Sequence, residues 1–257
     1  MIQLVIIVVI VITLIKHHFN RKWLIRQFEI QNCIVFGKKG TGKDTLFAWV
    51  IKRRKHKHYS NIRYNDKTEV RPISDLSTGN ITFDNLIDGN FFPIEKKMEE
   101  NVDYYISEAG LNLPSQFSHL LDKKFPSFPI YYSLVRHLTN SNIHANTQAL
   151  CRPWNKLREQ ADCYIKCCGV INIGRICVQR VRVYEMYESA DRNLKPYRCG
   201  IFSSREARAR AEEHRSLYGD IRNITFVHLR EKNGYDSRHF HRVIYGVPAP
   251  SKTQRKQ

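Results

Sequence analysis

The run Cys33-Ile34-Val35-Phe36-Gly37-Lys38-Lys39-Gly40-Thr41-Gly42-Lys43-Asp44-Thr45 leads from a short apolar segment into three glycines and a lysine. Gly37, Gly42 and Lys43 match the spacing G-x-x-x-x-G-K-[ST] of a phosphate-binding loop, and Asp44 is the one mismatch. A polyphosphate needs inward-facing backbone N–H groups, no Cβ in the way and a cation at its terminal phosphates. Residues 37–43 supply all three. Downstream, Thr45-Leu46-Phe47-Ala48-Trp49-Val50-Ile51 reads as a helix whose N-terminus adds amide donors and a favourable dipole. The plain alternative is a glycine-rich turn. A strand before and a helix after are the context the motif requires, so Gly37, Lys38, Lys39, Gly40, Thr41, Gly42, Lys43, Asp44 and Thr45 are the expected contacts of ATP.

Around this loop, 257 residues with 42% hydrophobic content suffice for one globular α/β domain with an appendage. A formal charge of +18 points to an anionic partner, nucleic acid or an acidic membrane face. Seven scattered cysteines, with Cys167 and Cys168 adjacent, argue against a disulfide framework and for a reducing compartment. Cys163, Cys167 and Cys168 have no second cluster at zinc spacing and read as buried strand residues.

The chain opens with Met1-Ile2-Gln3-Leu4-Val5-Ile6-Ile7-Val8-Val9-Ile10-Val11-Ile12-Thr13-Leu14-Ile15 and turns basic at Lys16. That run is shorter than the about 20 residues that span a bilayer comfortably. Local thinning, or snorkelling of Lys16, His17 and His18 with Phe19 and Trp23 at the interface, would extend it. The charge follows the apolar run and no small-residue cleavage site appears, so a cleaved signal peptide is disfavoured. The expectation is an uncleaved transmembrane anchor over 1–16 and a basic juxtamembrane segment over 17–30, touching membrane lipids. Lys16, Arg21, Lys22 and Arg26 after the span place the bulk of the protein in the cytoplasm.

Lys52-Arg53-Arg54-Lys55-His56-Lys57-His58 is the densest basic run, either a solvated helix end or a contact for DNA or anionic lipid. Residues 59–64 suggest a second strand and residues 71–89 a loop. The second informative stretch is Val102-Asp103-Tyr104-Tyr105-Ile106-Ser107-Glu108-Ala109-Gly110, an apolar strand ending in an acid. Beside bound phosphates such a strand end presents an Asp to Mg²⁺ and then a Glu to the attacking water. Glu108 fits the water, but Ser107 replaces the Asp, while Asp44 replaces the usual hydroxyl. One reading is that the two metal ligands have traded places, Asp44 giving the carboxylate and Ser107 the hydroxyl. Unscreened by metal, Asp44 and a phosphate at about 4 Å would repel by about 4 kcal/mol at an effective dielectric near about 20. The rival readings are that Thr45 supplies the hydroxyl after a one-residue shift, or that hydrolysis is impaired.

Further on, Leu134-Val135-Arg136-His137 lies on an expected helix, and residues 143–146 form a strand ending in Thr147-Gln148. Gln148 at such an edge could sense the γ-phosphate. Residues 154–161 read as a helix and 164–167 as a strand. Arg136, Arg152 and Arg158 are candidate charge stabilisers, acting across a subunit boundary, with a surface salt bridge as the simpler role of each.

Together the loop at 37–45, Ile106-Ser107-Glu108-Ala109, Arg136-His137, and Thr147-Gln148 followed by Leu157-Arg158 resemble the zonular occludens toxin-like ATPases, the gene I morphogenesis proteins of filamentous phages. The resemblance covers about residues 31–170. It implies a P-loop NTPase of RecA-like, FtsK/HerA-type fold with a central mainly parallel sheet. It also implies anchoring in the host inner membrane and use of ATP to drive phage assembly and extrusion. Motors of this kind work as homo-oligomeric rings with phage coat or assembly proteins, and with phage DNA in a packaging variant.

Residues 169–188 alternate, suggesting antiparallel strands that extend the sheet. Ser203-Ser204-Arg205-Glu206 reads as a capping box for a charged helix stopped by Gly219, residues 224–245 as returning strands, and 251–257 as a basic tail. The expected domains are therefore 1–16, 17–30, an ATPase domain over 31–190 and a small α+β appendage over 191–257. In this scheme Lys43 neutralises the β/γ-phosphates, Asp44 or Thr45 with Ser107 holds Mg²⁺, Glu108 activates water, Gln148 senses the γ-phosphate and Arg136 offsets charge. A DNA-translocating ATPase and a nucleotide-binding membrane scaffold with little hydrolysis are the alternatives.

Overall fold

The computed structural model describes residues 2–71, 73, 91–92, 99–197 and 204–229. Eight strands, β1 (Cys33–Phe36), β2 (Lys57–Ser60), β3 (Thr68–Val70), β4 (Val102–Ile106), β5 (Asn142–Thr147), β6 (Cys163–Ile173), β7 (Ile176–Tyr184) and β8 (Ile221–Leu229), form one sheet. Its order is β3-β2-β4-β5-β1-β6-β7-β8. The pairs β2–β3, β2–β4, β4–β5, β1–β5 and β1–β6 are parallel, and β6–β7 and β7–β8 are antiparallel. The fold is thus α/β with a mostly parallel central sheet. β1, β4 and β5 are buried along their whole length, as parallel strands covered on both faces must be.

The helices are α1 (Ile2–Ile30), α2 (Lys43–Arg53), α3 (Ala109–Asn112), α4 (Ser118–Lys124), α5 (Phe128–Thr139), α6 (Asn155–Glu159), α7 (Tyr187–Asp191) and α8 (Arg205–Tyr218). Alternation along β1 divides the core. Ile34 and Phe36 join Tyr104, Ile106, Phe128 and Trp154 on one face. Cys33 and Val35 join Phe47 and Trp49 of α2 and Leu24 and Phe28 of α1 on the other. The cysteines among the described residues are free; Cys163 and Cys167 are buried on β6 as expected, whereas Cys168 on the same strand is only half-buried.

Two boundaries and the membrane anchor differ from expectation. Residues 1–16 and 17–30 do not separate, because a single helix runs from Ile2 to Ile30 with its second half committed to the core through Leu24 and Phe28. Among the described residues no helix is long and apolar enough to cross a membrane, so the expected transmembrane anchor is not supported. The apolar run stops at Ile15, where a basic turn begins. Finally, within the expected appendage over 191–257 the described strand β8 is not separate from the sheet, since it pairs with β7 along its whole length and buries Ile224 and Phe226 in the shared core; residues 198–203 and 230–257, with the expected strands beyond 229, lie outside the described residues. The expected strand over 59–64 is the shorter β2, and the loop over 71–89 and the tail over 251–257 fall outside the described residues except for Arg71 and Ile73. α8 is capped by Ser204, whose Oγ accepts from the Ala207 N–H.

The second residue of β4, Asp103, is completely buried and ties several elements together. Arg54, just past α2, donates Nη2 to its Oδ1 at 2.8 Å, and His56 lies 3.0 Å from the same oxygen. Burial alone would raise the Asp103 carboxyl, but hydrogen bonds from His56 and Arg54 and the Arg54 charge hold it well below the usual carboxylate range. The dense basic run is therefore partly a structural clamp. His144, behind the same carboxylate, is buried and lowered to about 3 by desolvation. A His whose folded pKa is depressed leaves the unfolded chain holding the extra proton as acid is added. The His144 contribution to stability is therefore expected to fall by up to about 1.4 kcal/mol per pH unit from about pH 6 to about pH 4, as chemical denaturation of the wild type against a His144→Gln variant across that range would show. Arg54→Met strands the buried carboxylate and is expected to cost about 3–5 kcal/mol at neutral pH.

Candidate active site

β1 delivers the chain to the loop, and glycine is required where the loop bends. Gly37 has φ +147, and a Cβ there would stand 2.6 Å from the Cys167 carbonyl oxygen and 2.9 Å from Thr41 Oγ1. Gly42 has φ +89 and lies against Val170 and Gln179, whose Nε2 donates to the Gly42 carbonyl at 2.9 Å. Thr41 donates its hydroxyl to the Lys38 carbonyl at 2.8 Å. Lys43, buried on the first turn of α2, turns back and donates Nζ to the carbonyls of Gly37 at 3.1 Å and Lys38 at 3.4 Å. Lys38, Lys39 and Gly40 form the exposed rim, and Thr45 is half-buried on the first turn of α2.

Ser107 and Glu108 reach the loop from the end of β4. Asp44 Oδ1 accepts from Ser107 Oγ at 3.4 Å, so the two exchanged residue types meet. It also accepts from Asn146 Nδ2 at 2.8 Å and from the Tyr64 hydroxyl at 3.3 Å. Burial raises the Asp44 carboxyl against the opposing pull of Asn146, Lys43, Tyr64 and Ser107. Glu108 occupies the left-handed region at φ 48, and its N–H donates to Asn146 Oδ1 at 2.8 Å. Burial raises Glu108 too; Asp44 adds to that rise, while Lys43, Gln148 and Arg152 oppose it. Gln148 therefore faces Glu108 as well as the loop.

Asn146, which sequence reasoning passed over, is the hinge pin of this arrangement. β5 lies between β1 and β4, and from its end one amide holds the Asp44 carboxylate with one atom and the Glu108 backbone with the other. Tyr64 joins the same network at 3.1 Å from Asn146 Nδ2, and Asn61 accepts the Ser107 N–H at 2.7 Å. Little in the sequence singles out Asn146, because the strand Asn142-Ile143-His144-Ala145-Asn146-Thr147 carries polar residues along its length.

Arg136 is not brought to the site. It sits at the opposite edge of the sheet, near the end of α5, with Nη1 on the Ile30 carbonyl and an ion pair of 3.5 Å to Asp162, both just before strands begin. Arg158 is likewise remote, donating Nη1 to the Tyr187 hydroxyl at 2.8 Å. Arg152 is the one of the three near Glu108. Beside the loop lies a cavity of about 560 Å³, lined by Phe36, Lys38, Gln148, Cys168, Lys166 and Arg182 among others. Its size suits a nucleoside-sized group.

These features define a P-loop α/β protein. In structure the chain is similar to the N-terminal domain of zonular occludens toxin from Neisseria meningitidis, with a TM-score of 0.46 and 14% identity over 86% of this chain and 100% of that one. It is also similar to the genome packaging NTPase B204 from Sulfolobus turreted icosahedral virus 2 in complex with ATP-gammaS, with a TM-score of 0.37 and 14% identity over 54% of this chain and 75% of that one. The AMP complex of B204 gives a TM-score of 0.35 and 16% identity over 53% and 74% of the two chains. No protein-family model matches the sequence, and no curated protein does.

Gly37→Ala, which drives a Cβ into backbone, is expected to lower the unfolding free energy by about 1–3 kcal/mol. Gly40→Ala, where a Cβ meets nothing within 4 Å, adds only backbone strain of about 1 kcal/mol. Urea melts of the two variants would separate these values.

Proposed function

We propose that the chain is a membrane-associated P-loop ATPase that powers filamentous phage assembly and extrusion at the host inner membrane. The observation that carries the enzymatic part is the convergence of Lys43, Asp44, Ser107 and Glu108 at one loop, with Asn146 bridging Asp44 and Glu108. Lys43 already contacts two carbonyls, and a triphosphate in the loop would offer its ammonium better acceptors. Glu108, with its raised proton affinity, is suited to take a proton from the water that attacks the γ-phosphorus, as the bond to ADP breaks.

Magnesium fits this donor set. Asp44 provides one carboxylate and Ser107 one hydroxyl, the number a phosphate-bound Mg²⁺ takes from a protein. A cation there would also offset the burial that disfavours the charged form of Asp44. When bound, the ion would neutralise charge on the phosphates. The phage-assembly part, including a ring of subunits and coat or assembly proteins as partners, rests on the sequence resemblance across about residues 31–170.

Membrane association rests on α1. Residues 5–15 are exposed around the whole helix, and Thr13 satisfies its hydroxyl internally on the Val9 carbonyl at 2.8 Å. At about 1.5 Å per residue this stretch is about 16 Å long, roughly half the thickness of a hydrocarbon core. It would enter a bilayer without crossing it, with Lys16, Arg21 and Lys22 at the headgroups. The net charge of +18 favours a second reading, a DNA-packaging ATPase, in which DNA stimulates turnover with a steep salt dependence.

Three measurements test these assignments. Lys43→Ala is expected to abolish ATP turnover, and Glu108→Gln to lower kcat by about 10²- to 10⁴-fold with nucleotide still bound. Unchanged turnover in Glu108→Gln would leave only a nucleotide-binding scaffold. For the exchanged ligands, Asp44→Thr should impair Mg²⁺-dependent turnover and Asp44→Thr with Ser107→Asp should recover part of it; no recovery rejects the exchange. The full chain should float with anionic vesicles, and removal of residues 2–15 should leave it in the soluble fraction.

A further inference from the structure

β6 and β7 continue past the phosphate loop into a hairpin, turning at Gly174 with φ +58. Register pairs Ile171 with Val178 and Ile173 with Ile176, and β8 sets Val227 beside Val178 and Leu229 beside Ile176. Directly paired residues share a face, so these six side chains form two apolar rows on one side of the sheet. Ile171, Ile173, Ile176 and Leu229 are 64%, 65%, 45% and 58% exposed. The opposite face of the same strands is the core side, where Cys177 is buried and His228 packs 5.5 Å from the Trp49 ring.

The patch lies next to the apolar half of α1. His17 Nδ1 and Asn20 Nδ2 lie 3.0 Å and 2.9 Å from the Thr225 carbonyl on β8. Leu14 and Ile15, up to one turn back along the helix, share a groove of about 750 Å³ with His18, Ile176, Val227 and Leu229. Residues 5–13 therefore extend from the same end of the molecule as the hairpin. The charge is of one sign. Arg175 in the turn and Arg180 on the patch face are exposed, and neither residues 169–180 nor residues 1–28 contain a carboxylate.

We propose that the tip of the β6–β7 hairpin is a second lipid-insertion element, entering the same anionic leaflet as residues 5–15 of α1. Its isoleucines bury in the acyl boundary while Arg175 and Arg180 meet lipid phosphates. Two separate insertions fix the sheet's orientation to the bilayer, which a lone helix would not. This inference rests on the membrane-association reading above and adds a site to it.

The test uses the full chain and vesicles of phosphatidylcholine with about 30% phosphatidylglycerol. Ile173→Ser with Ile176→Ser is expected to lower the vesicle partition coefficient by about tenfold or more. Both side chains are exposed and serine adds no facing charges at this pair, so the melting temperature should change little, which separates this effect from misfolding. In the Ile173→Trp variant, brominated lipids should quench emission beyond that of the native tryptophans. Flotation of the wild type together with unaltered partition of the double variant and no added quenching would overturn the hairpin assignment and leave the α1 reading intact. Failure of the wild type to float would overturn both. A change in oligomeric state of the double variant without lipid would assign the face to a second copy of the chain and overturn it as well.

Discussion

The buried ammonium of Lys43 holds the phosphate loop closed on itself. A cation removed from water needs acceptors, and the carbonyls of Gly37 and Lys38 are the ones the curled loop turns toward it. A charged hydrogen bond of this kind contributes about 1.5–3 kcal/mol. The loop is therefore shaped by its own lysine, and the glycines are those whose backbone path the closure demands. Gly37 could not carry a side chain so near the Cys167 carbonyl. Asp44, next in sequence, is placed by the same turn of helix where Ser107, Asn146 and Tyr64 converge.

β4 illustrates how one strand serves two opposite electrostatic purposes. At its start Asp103 is satisfied by Arg54 and His56, so its charge is locked in as a structural tie. Past its end Glu108 is surrounded by mixed signs, Lys43 and Arg152 against Asp44, and burial pushes its proton affinity upward. A strand of five residues separates the two by roughly 15 Å. The length of the strand keeps the clamped carboxylate apart from the mixed charges beside the loop.

The phosphate loop was legible because its information is local: three glycines and a lysine at fixed spacing dictate the bend wherever they occur. The end of β4 was legible for a similar reason, an apolar run closing on an acid. Asn146 and Tyr64 were not, because their importance arises only when β5 inserts between β1 and β4, and strand order is not written in any one segment. That Arg136 lies away from the loop of its own chain was not legible, because a helix pattern gives its buried face without saying which end approaches the loop. At α1 a change from apolar to basic composition suggested a boundary, yet both halves favour the same backbone conformation and the helix runs through. β8 was separated from the sheet for the opposite reason, a long intervening stretch hiding a pairing partner.

The length of β6 has a mechanical consequence. It pairs with β1 from Cys163 to Lys166, shifts register between Cys167 and Gly169, and continues to Ile173. Val170 touches Gly42, and Gln179 opposite it holds the Gly42 carbonyl. An extended chain has almost no slack along its axis, while a register shift lets it pivot sideways. A rearrangement of the loop would thus reach the far end of the ribbon as a swing about Cys167 rather than a stretch, which makes β6 a lever with its fulcrum beside the glycine-rich loop.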